Sequence, residues 1–306
     1  MYKKQLSRRQ FMHTCAAAGL GGALCGSATA AESMLSREIP ATGETLPVVG
    51  LGTYSVFDVP PSAQEIAIRR EILDALGEAG GTVIDTSPMY NRSEAVVGQV
   101  LSDGEDRDNY FLATKVWIDG RGAGESQMRR SAELMATDRI DLMQVHNRRD
   151  LDAHWPTIQA MKEAEFIRYD GVTDYRASAL ESMIDIMRRY QPQFVQINYS
   201  LGEREAAERL LPMARDTGIA VLINRPFVSG RLFRAVGDRP LPEWANEFAD
   251  SWGQFFLKYI VSHPAVTCVI PATSKLRHMV DNAGAGVGPM PDQAMRARME
   301  AFVDAL

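Results

Sequence analysis

The nine residues 82–90, Thr-Val-Ile-Asp-Thr-Ser-Pro-Met-Tyr, join a short strand to ionisable side chains. Thr82-Val83-Ile84 is an apolar, β-branched run of the kind that forms a buried strand. The run ends in Asp85, and Tyr90 follows five residues later, beyond Pro88, which interrupts regular structure. The pattern predicts a strand whose C-terminal end is followed by a carboxylate and a phenol.

Two further strand-like runs end in the same way. Residues 111–114 (Phe-Leu-Ala-Thr) lead into Lys115, and residues 140–145 lead into His146. In a (β/α)8 barrel, the C-terminal ends of the parallel strands meet at one rim, where active sites lie. We therefore expect Asp85, Lys115 and His146 to converge there.

Strand-like and helix-like runs alternate along the rest of the chain. A doubly wound open sheet would need a G-x-G-x-x-G turn after its first strand, and the sequence contains none. Eight strand–helix repeats in about 250 residues match a single α/β domain of the (β/α)8 (TIM) barrel type, with an N-terminal β-hairpin at 37–49 and a C-terminal helix at 292–304. Strands are expected at 48–54, 82–85, 110–115, 140–146, 167–172, 194–197, 219–223 and 266–270, and helices at 63–79, 93–101, 125–136, 155–165, 177–190, 204–216, 247–262 and 275–283.

The order and flanks of four residues resemble the catalytic tetrad of the aldo-keto reductase family. These residues are Asp85, Tyr90, Lys115 and His146, and the likeness extends over roughly residues 46–282. The resemblance implies an NAD(P)H-dependent oxidoreductase that reduces an aldehyde or ketone to an alcohol.

The four residue types fit the roles that the resemblance implies. Carbonyl reduction needs a hydride donor and a proton donor, and free tyrosine has a pKa near ~10. A lysine ammonium stabilises a phenolate, so Lys115 is expected to lower the pKa of Tyr90, the proton donor. Asp85 would pair with Lys115, and His146 would donate a hydrogen bond to the carbonyl oxygen.

The resemblance also implies a set of cofactor contacts, with NADPH preferred and NADH as the alternative. Residues 270–275, Ile-Pro-Ala-Thr-Ser-Lys, follow the last strand and open a helix, an arrangement that suits a phosphate. Gln196 matches the family's contact to the nicotinamide amide, and Tyr199 is expected nearby. The full expected set is Thr173, Asp174, Gln196, Arg225, Pro271, Thr273, Ser274, Lys275, His278 and Asn282.

Three positions depart from the family pattern. The chain has Thr173-Asp174 where Ser or Thr followed by Asn is common, and an ionised Asp174 cannot donate a hydrogen bond to the nicotinamide amide. His278 stands where many members carry an arginine for the 2′-phosphate. Arg225 follows the seventh strand, where it would bind the pyrophosphate or form a surface ion pair.

The substrate pocket is expected to include Tyr54, Trp117 and Asn147, with Trp155 as a further wall residue. The loop that begins at Asn147 carries Arg148 and Arg149. These two cations favour an anionic carbonyl substrate, although a solvated loop is the commoner explanation for such charges.

Residues 1–31 resemble a twin-arginine export signal, and residues 32–306 form the predicted barrel. Basic residues lead into Ser7-Arg8-Arg9-Gln10-Phe11, an Ala/Gly-rich run follows, and Ala28-Thr29-Ala30 is a cleavage signal. We therefore expect recognition by the Tat export machinery, transport as a folded protein and a periplasmic location. Cys25 does not indicate a lipid anchor, because Leu24 stands where a small residue is required.

Removal of this segment leaves an acidic chain with one cysteine. The formal charge falls from −6 to −10, because four cations leave and no acidic residue does. Such a charge argues against nucleic acid or an anionic membrane as partner. Cys268 alone then remains, so neither an intramolecular disulfide nor a metal site is expected.

Two other functions are compatible with the same residues. A barrel that binds the nucleotide without turnover would serve as a redox sensor, a role that the Asp174 departure favours. A lyase or isomerase would use Tyr90 and Lys115 for proton transfer alone, although the phosphate-like segment at 270–275 argues against a version without a cofactor.

Overall fold

The computed structural model describes residues 33–102 and 107–306. The predicted export signal at 1–31 lies outside these residues and stays a prediction. Among the described helices, none is long and apolar enough to cross a membrane.

Eight parallel strands form the barrel, and the predicted (β/α)8 fold is confirmed. The strands are paired in chain order from the first to the eighth, and parallel bridges between Val49 and Val269 and between Gly52 and Ala272 join the two ends of the sheet. The strands are β3 (Leu51–Gly52), β4 (Val83–Asp85), β5 (Phe111–Val116), β6 (Ile140–His146), β7 (Ile167–Thr173), β8 (Phe194–Asn198), β9 (Ala220–Asn224) and β10 (Cys268–Val269).

Helices follow the strands and cover the outside of the barrel. Apolar side chains on their inner faces, such as Ile72 and Leu76 of α1, are fully buried against the strands. The helices are α1 (Ala63–Glu78), α2 (Ser93–Ser102), α3 (Arg121–Leu134), α4 (Leu151–Glu163), α5 (Leu180–Tyr190), α6 (Leu210–Thr217), α7 (Arg231–Val236), α8 (Trp252–Val261), α9 (Leu276–Gly284) and α10 (Gln293–Asp304).

The N-terminal hairpin closes the end of the barrel opposite the C-terminal rim. Its strands β1 (Ser36–Glu38) and β2 (Thr45–Pro47) are antiparallel. Ile39 and Leu46 join the apolar cluster that fills the barrel interior. Because this end is sealed and packed, the opposite rim is the end left open for a ligand.

Several element boundaries differ from the sequence expectations. Only Leu51–Gly52 of the run expected at 48–54 is a strand. Glycine at position 50 allows the close approach of β4, since a side chain there would meet Val83 O at 2.7 Å. A short helix, Arg231–Val236, follows the seventh strand, where the sequence predicts no helix. The helix expected at 247–262 begins later, at Trp252, where Ser251 caps its first turn.

Candidate active site

Lys115 on β5 and Asp85 at the end of β4 form an ion pair inside the rim. Lys115 Nζ lies 2.7 Å from Asp85 Oδ2 and donates a second hydrogen bond, also 2.7 Å long, to the carbonyl oxygen of Thr86. Burial lowers the pKa of Lys115, and the charge of Asp85 opposes that change. The structure thus brings together the pair that the sequence predicted.

Two glutamine amides complete the environment of Asp85. Its Oδ1 accepts hydrogen bonds from Gln196 Nε2 at 2.7 Å and from Gln144 Nε2 at 3.3 Å. Gln196 Oε1 in turn accepts from Thr173 Oγ1 at 3.1 Å. Gln196 therefore holds the ion pair, and one N–H and one lone pair of its amide remain for a ligand.

Tyr90 lies beside this pair on a 3₁₀ turn, Pro88–Tyr90. Lys115 Nζ is 5.2 Å from the centre of its ring. The ring of His146 lies edge-on at 5.9 Å, and that of Tyr54 lies edge-on at 5.1 Å. A phenol, a cation and an imidazole thus meet at one point on the rim, as the sequence predicted.

The pKa of Tyr90 moves in the direction opposite to the sequence expectation. Burial raises the pKa of the phenol well above its usual value, and the negative charge of Asp85 raises it further. The expected net lowering is not found, because burial and the charge of Asp85 both act in the opposite direction. Tyr90 is therefore a protonated phenol at neutral pH.

His146 is neutral. Burial lowers the pKa of its imidazole to about 3, and the nearby charge of Lys115 acts in the same direction. Its Nδ1 lies 3.0 Å from Ser87 Oγ. The ring therefore has one N–H to donate and carries no charge near pH 7.

A cavity of about 550 Å³ opens at the rim over these side chains. Three polar atoms of its lining residues are buried and have no partner among the described residues: Asn147 Oδ1, Asn224 Oδ1 and Arg225 Nε. Such atoms favour a polar ligand in the cavity. The lining is Gly52, Thr53, Tyr54, Asp85, Met89, Tyr90, His146, Asn147, Thr173, Tyr175, Gln196, Asn224, Arg225, Pro226, Phe227, Ser229, Gly230, Ile270 and Ala272.

Three of the four expected substrate-pocket residues lie at the cavity or beside His146, and the fourth does not. Tyr54 and Asn147 line the cavity, and Trp117 packs beside His146, with ring centres 6.4 Å apart. Trp155 packs on Tyr190 instead, with ring centres 5.4 Å apart, so its expected role in the wall is wrong.

Tyr199 is expected near the nicotinamide contact, but it does not line the cavity. Its ring is fully buried, and its hydroxyl bonds to Tyr259 at 3.2 Å and to Arg296 at 2.6 Å. Arg296 belongs to α10, so Tyr199 anchors the C-terminal helix rather than a ligand.

Asp174 is not a cavity residue. Its side chain is 1% exposed, and its carboxylate accepts from Arg148 at 2.9 Å and from Arg176 at 2.9 and 2.7 Å. Burial raises the pKa of this carboxyl, but the hydrogen bonds from Arg176 and Arg148 outweigh that effect, and the pKa is lowered. The carboxylate stays ionised and pairs with Arg148 and Arg176 outside the cavity lining, so the expected contact with nicotinamide is not supported.

Both cations of the loop after His146 are paired. Arg148 binds Asp174, and Arg149 Nη2 lies 2.7 Å from Asp119 Oδ2. The sequence-based case for an anionic substrate rested on these two charges. Since carboxylates already bind them, the solvated-loop explanation accounts for them better.

The predicted phosphate segment continues from the cavity wall. Ile270 and Ala272 line the cavity. Lys275, the residue before α9, does not cap the helix with its side chain, which leaves first-turn N–H groups for an anion. Arg225 also lines the cavity and is 3.8 Å from Glu203. Of the other expected residues here, Pro271, Thr273 and Asn282 are buried, and Ser274, Lys275 and His278 are exposed.

Several site residues were missed at the sequence level. Ser87 and Gln144 contact the tetrad, and Met89, Tyr175 and Phe227 line the cavity. Ser87 lies inside the stretch between Asp85 and Tyr90, so a polar residue there was a usable signal. The other four residues give no such signal in the sequence, because apolar and amide side chains are common at any barrel rim.

Comparison with known proteins identifies the class and the family. A barrel with this rim is the architecture of an NAD(P)H-dependent oxidoreductase. The sequence profile of the aldo/keto reductase family matches residues 48–302, and the chain belongs to that family.

Individual proteins similar to this chain are also aldo-keto reductases. The aldo-keto reductase YhdN of Bacillus subtilis (strain 168) is 32% identical over 207 residues, which are 62% of this chain and 61% of that protein. The aldo-keto reductase str7 of Strobilurus tenacellus is 26% identical over 82% of this chain and 84% of its own length. An aldo/keto reductase from Klebsiella pneumoniae, solved in complex with NADP and acetate, superposes with a TM-score of 0.72 at 26% identity, over 85% of this chain and 92% of that one.

Proposed function

We propose that the protein is an exported NADPH-dependent reductase that converts an aldehyde or ketone to an alcohol, with Tyr90 as the proton donor. The observation that carries the proposal is the buried Lys115–Asp85 pair beside a protonated phenol and a neutral imidazole, under one cavity.

Tyr90 transfers its proton to the carbonyl oxygen as that oxygen gains negative charge. A phenol is protonated at neutral pH, which is the form that a donor needs, and its proton leaves as negative charge develops on the substrate oxygen. Lys115 donates hydrogen bonds to Asp85 and Thr86, and its ammonium, 5.2 Å from the centre of the Tyr90 ring, stabilises the phenolate that Tyr90 becomes.

His146 holds the substrate oxygen from a second side. A neutral imidazole whose other nitrogen bonds to Ser87 presents one N–H to the cavity. A hydrogen bond from this N–H orients the carbonyl and stabilises its developing charge without adding a cation beside Lys115.

The cavity and the adjoining segment fit a dinucleotide. The unpartnered polar atoms of Asn147, Asn224 and Arg225 favour a polar ligand, and the uncapped start of α9 favours a phosphate. Thr173 and Gln196 would hold the nicotinamide amide, Arg225 the pyrophosphate, and the residues Pro271, Thr273, Ser274, Lys275, His278 and Asn282 the adenosine phosphate. When bound, NADPH supplies the hydride that forms the new C–H bond.

The cavity walls favour an uncharged carbonyl substrate. Tyr54, Met89 and Tyr175 stand exposed at its edge. Arg148 and Arg149 are occupied by carboxylates, so a substrate anion has no partner in that loop.

A binding titration followed by turnover tests the proposal. Purified full-length chain is titrated with NADPH and NADH by nicotinamide fluorescence, and a panel of small aldehydes and ketones is then added. We expect saturable binding, tighter for NADPH, and loss of the signal only when a carbonyl is present. Binding without turnover of any carbonyl would contradict the reductase, and absence of binding would contradict the cofactor site.

We further propose that residues 1–31 direct the folded protein to the periplasm through the Tat machinery. The twin-arginine motif and its Ala-Thr-Ala cleavage signal support this. Replacement of Arg8 and Arg9 by lysine should keep the protein in the cytoplasm. Export of that variant at the normal level would contradict the proposal.

The sensor alternative loses the observation that favoured it. It rested on a free carboxylate at Asp174 facing the nicotinamide, and that carboxylate binds Arg148 and Arg176 instead. No other feature of the described residues favours binding without turnover.

A further inference from the structure

The hydrogen bond between Ser87 and His146 connects the loop that carries the phenol to the strand that carries the imidazole. Ser87 Oγ lies 3.0 Å from His146 Nδ1, and the two residues are 0% and 5% exposed. They are separated by 59 positions in the chain. Water therefore has little access to the bond, and its direction is decided by the protein alone.

The other partners of Ser87 determine which atom donates. Ser87 Oγ already accepts a hydrogen bond from Met89 N at 3.2 Å. If His146 Nδ1–H donated to the same oxygen, the serine O–H would have no acceptor among the described residues. A buried donor without an acceptor is unfavourable, so the arrangement in which Ser87 O–H donates to Nδ1 is favoured.

A neutral imidazole that accepts at Nδ1 carries its proton on Nε2. We propose that Ser87 is a positioning residue that holds His146 in the Nε2–H tautomer, so that the ring nitrogen left for the cavity is a donor to the substrate oxygen. This inference rests on the proposed reductase function for its catalytic consequence, but not for the tautomer itself.

Ser87 also positions the second donor. Its carbonyl oxygen accepts the backbone N–H of Tyr90 at 2.9 Å, within the turn that presents the phenol. One residue thus holds the backbone of Tyr90 and the ring of His146. The two groups proposed to bind the same substrate oxygen are therefore aligned by a common neighbour.

The tautomer is measured directly by the ¹⁵N shifts of the histidine rings in the full chain at pH 7. The chain has five histidines, and the signals of His146 are assigned by their loss in His146→Gln. We expect a single neutral Nε2–H form in the wild type. In Ser87→Ala we expect a mixture in which the Nδ1–H form is populated.

Ser93→Ala is the matched control. Ser93, the first residue of α2, is a second fully buried serine next to Tyr90, and its hydroxyl donates to Tyr90 O at 2.9 Å without contacting His146. The ring signals of His146 should be unchanged in this variant. For carbonyl reduction we expect Ser87→Ala to lose about 5- to 10-fold in kcat beyond any loss in Ser93→Ala, with KM for NADPH unchanged, as for one hydrogen bond.

Different results separate this inference from the reductase proposal. An Nδ1–H form in the wild type, or the same tautomer in wild type and Ser87→Ala, would overturn the role of Ser87 whatever the activity. Equal kcat losses in the two serine variants would also overturn it, because Ser87 would then act only through the turn. A wild-type chain that reduces no carbonyl would contradict the reductase and leave the spectra to decide the tautomer.

Discussion

Asp85 binds Lys115 through one carboxylate oxygen and the amides of two glutamines through the other. The Lys115 side chain is 0% exposed and that of Asp85 is 3% exposed. Since a buried ammonium is stable only with a hydrogen-bonded counter-charge, the network around Asp85 is a condition for Lys115 to be charged beside Tyr90.

Substitution of Asp85 by Asn should destabilise the fold and nearly abolish activity. The change keeps the shape but leaves the Lys115 ammonium buried without its counter-ion, which costs about 3–5 kcal/mol. Urea unfolding measures this loss. The control is Glu125→Gln, which breaks the exposed pair with Arg129 at 2.9 Å and should cost at most about 0.5 kcal/mol. Equal effects of the two substitutions would contradict the account of the pair.

His146 should make the folded state sensitive to acid. The pKa of its imidazole is ordinarily 6.5 and falls to about 3 in the folded protein. Between these pH values the unfolded chain binds a proton at His146 and the folded chain does not. The contribution of His146 to the free energy of unfolding is fully present above pH 6.5. It is lost as the pH falls toward 3, by up to about 1.4 kcal/mol per pH unit. Urea unfolding at pH 7, 6 and 5 should show a shallower pH dependence in His146→Gln. Parallel curves would show that the imidazole is not held neutral.

Substitution of His278 by Arg should strengthen NADPH binding selectively. Burial and the charges of Arg277 and Lys275 lower the pKa of His278, so the ring brings no full charge to a 2′-phosphate near pH 7. A guanidinium there should lower the Kd for NADPH about 5- to 10-fold. NADH lacks that phosphate and serves as the internal control. An equal decrease in the Kd for NADPH and for NADH would show that the 2′-phosphate does not bind at position 278.

Substitution of Asp174 by Asn should change stability more than cofactor binding. Its carboxylate binds Arg148 and Arg176 and does not line the cavity. Loss of a buried charge that pairs two arginines should cost about 1–3 kcal/mol. The Kd for NADPH should change less than about 2-fold, because no ligand contact is removed. A tenfold gain in NADPH affinity would restore the sequence-based view that Asp174 faces the nicotinamide.

The strand ends were predictable from the sequence, and the partners of their side chains were not. Asp85, Lys115 and His146 each follow an apolar run, and parallel strands bring such ends together. The pairing of Asp174 with Arg148 joins the loops after β6 and β7. No local pattern specifies a contact of this kind, so the carboxylate was misread as a cofactor contact.

The backbone path of the loop after His146 is another feature that the sequence does not predict. Asn147, Arg148 and Asp150 all have positive φ without being glycine. This strained path turns Arg148 toward Asp174 and Asn147 toward the cavity. Asn and Asp adopt such angles more often than most residues, but Arg148 is not of this type, so residue types alone do not predict the whole path. Likewise the pKa of Tyr90 depends on its burial, which residue types alone do not determine.

Single-turnover carbonyl reduction by Tyr90→Phe, with the Kd for NADPH measured on the same sample, shows whether Tyr90 is the proton donor. Phenylalanine keeps the ring and removes only the proton donor, and general acid catalysis contributes about 10²–10⁴-fold to such a step. We predict a fall in the reduction rate of at least about 100-fold with the Kd for NADPH nearly unchanged. Reduction at the wild-type rate would show that the proton comes from another group and would contradict the mechanism.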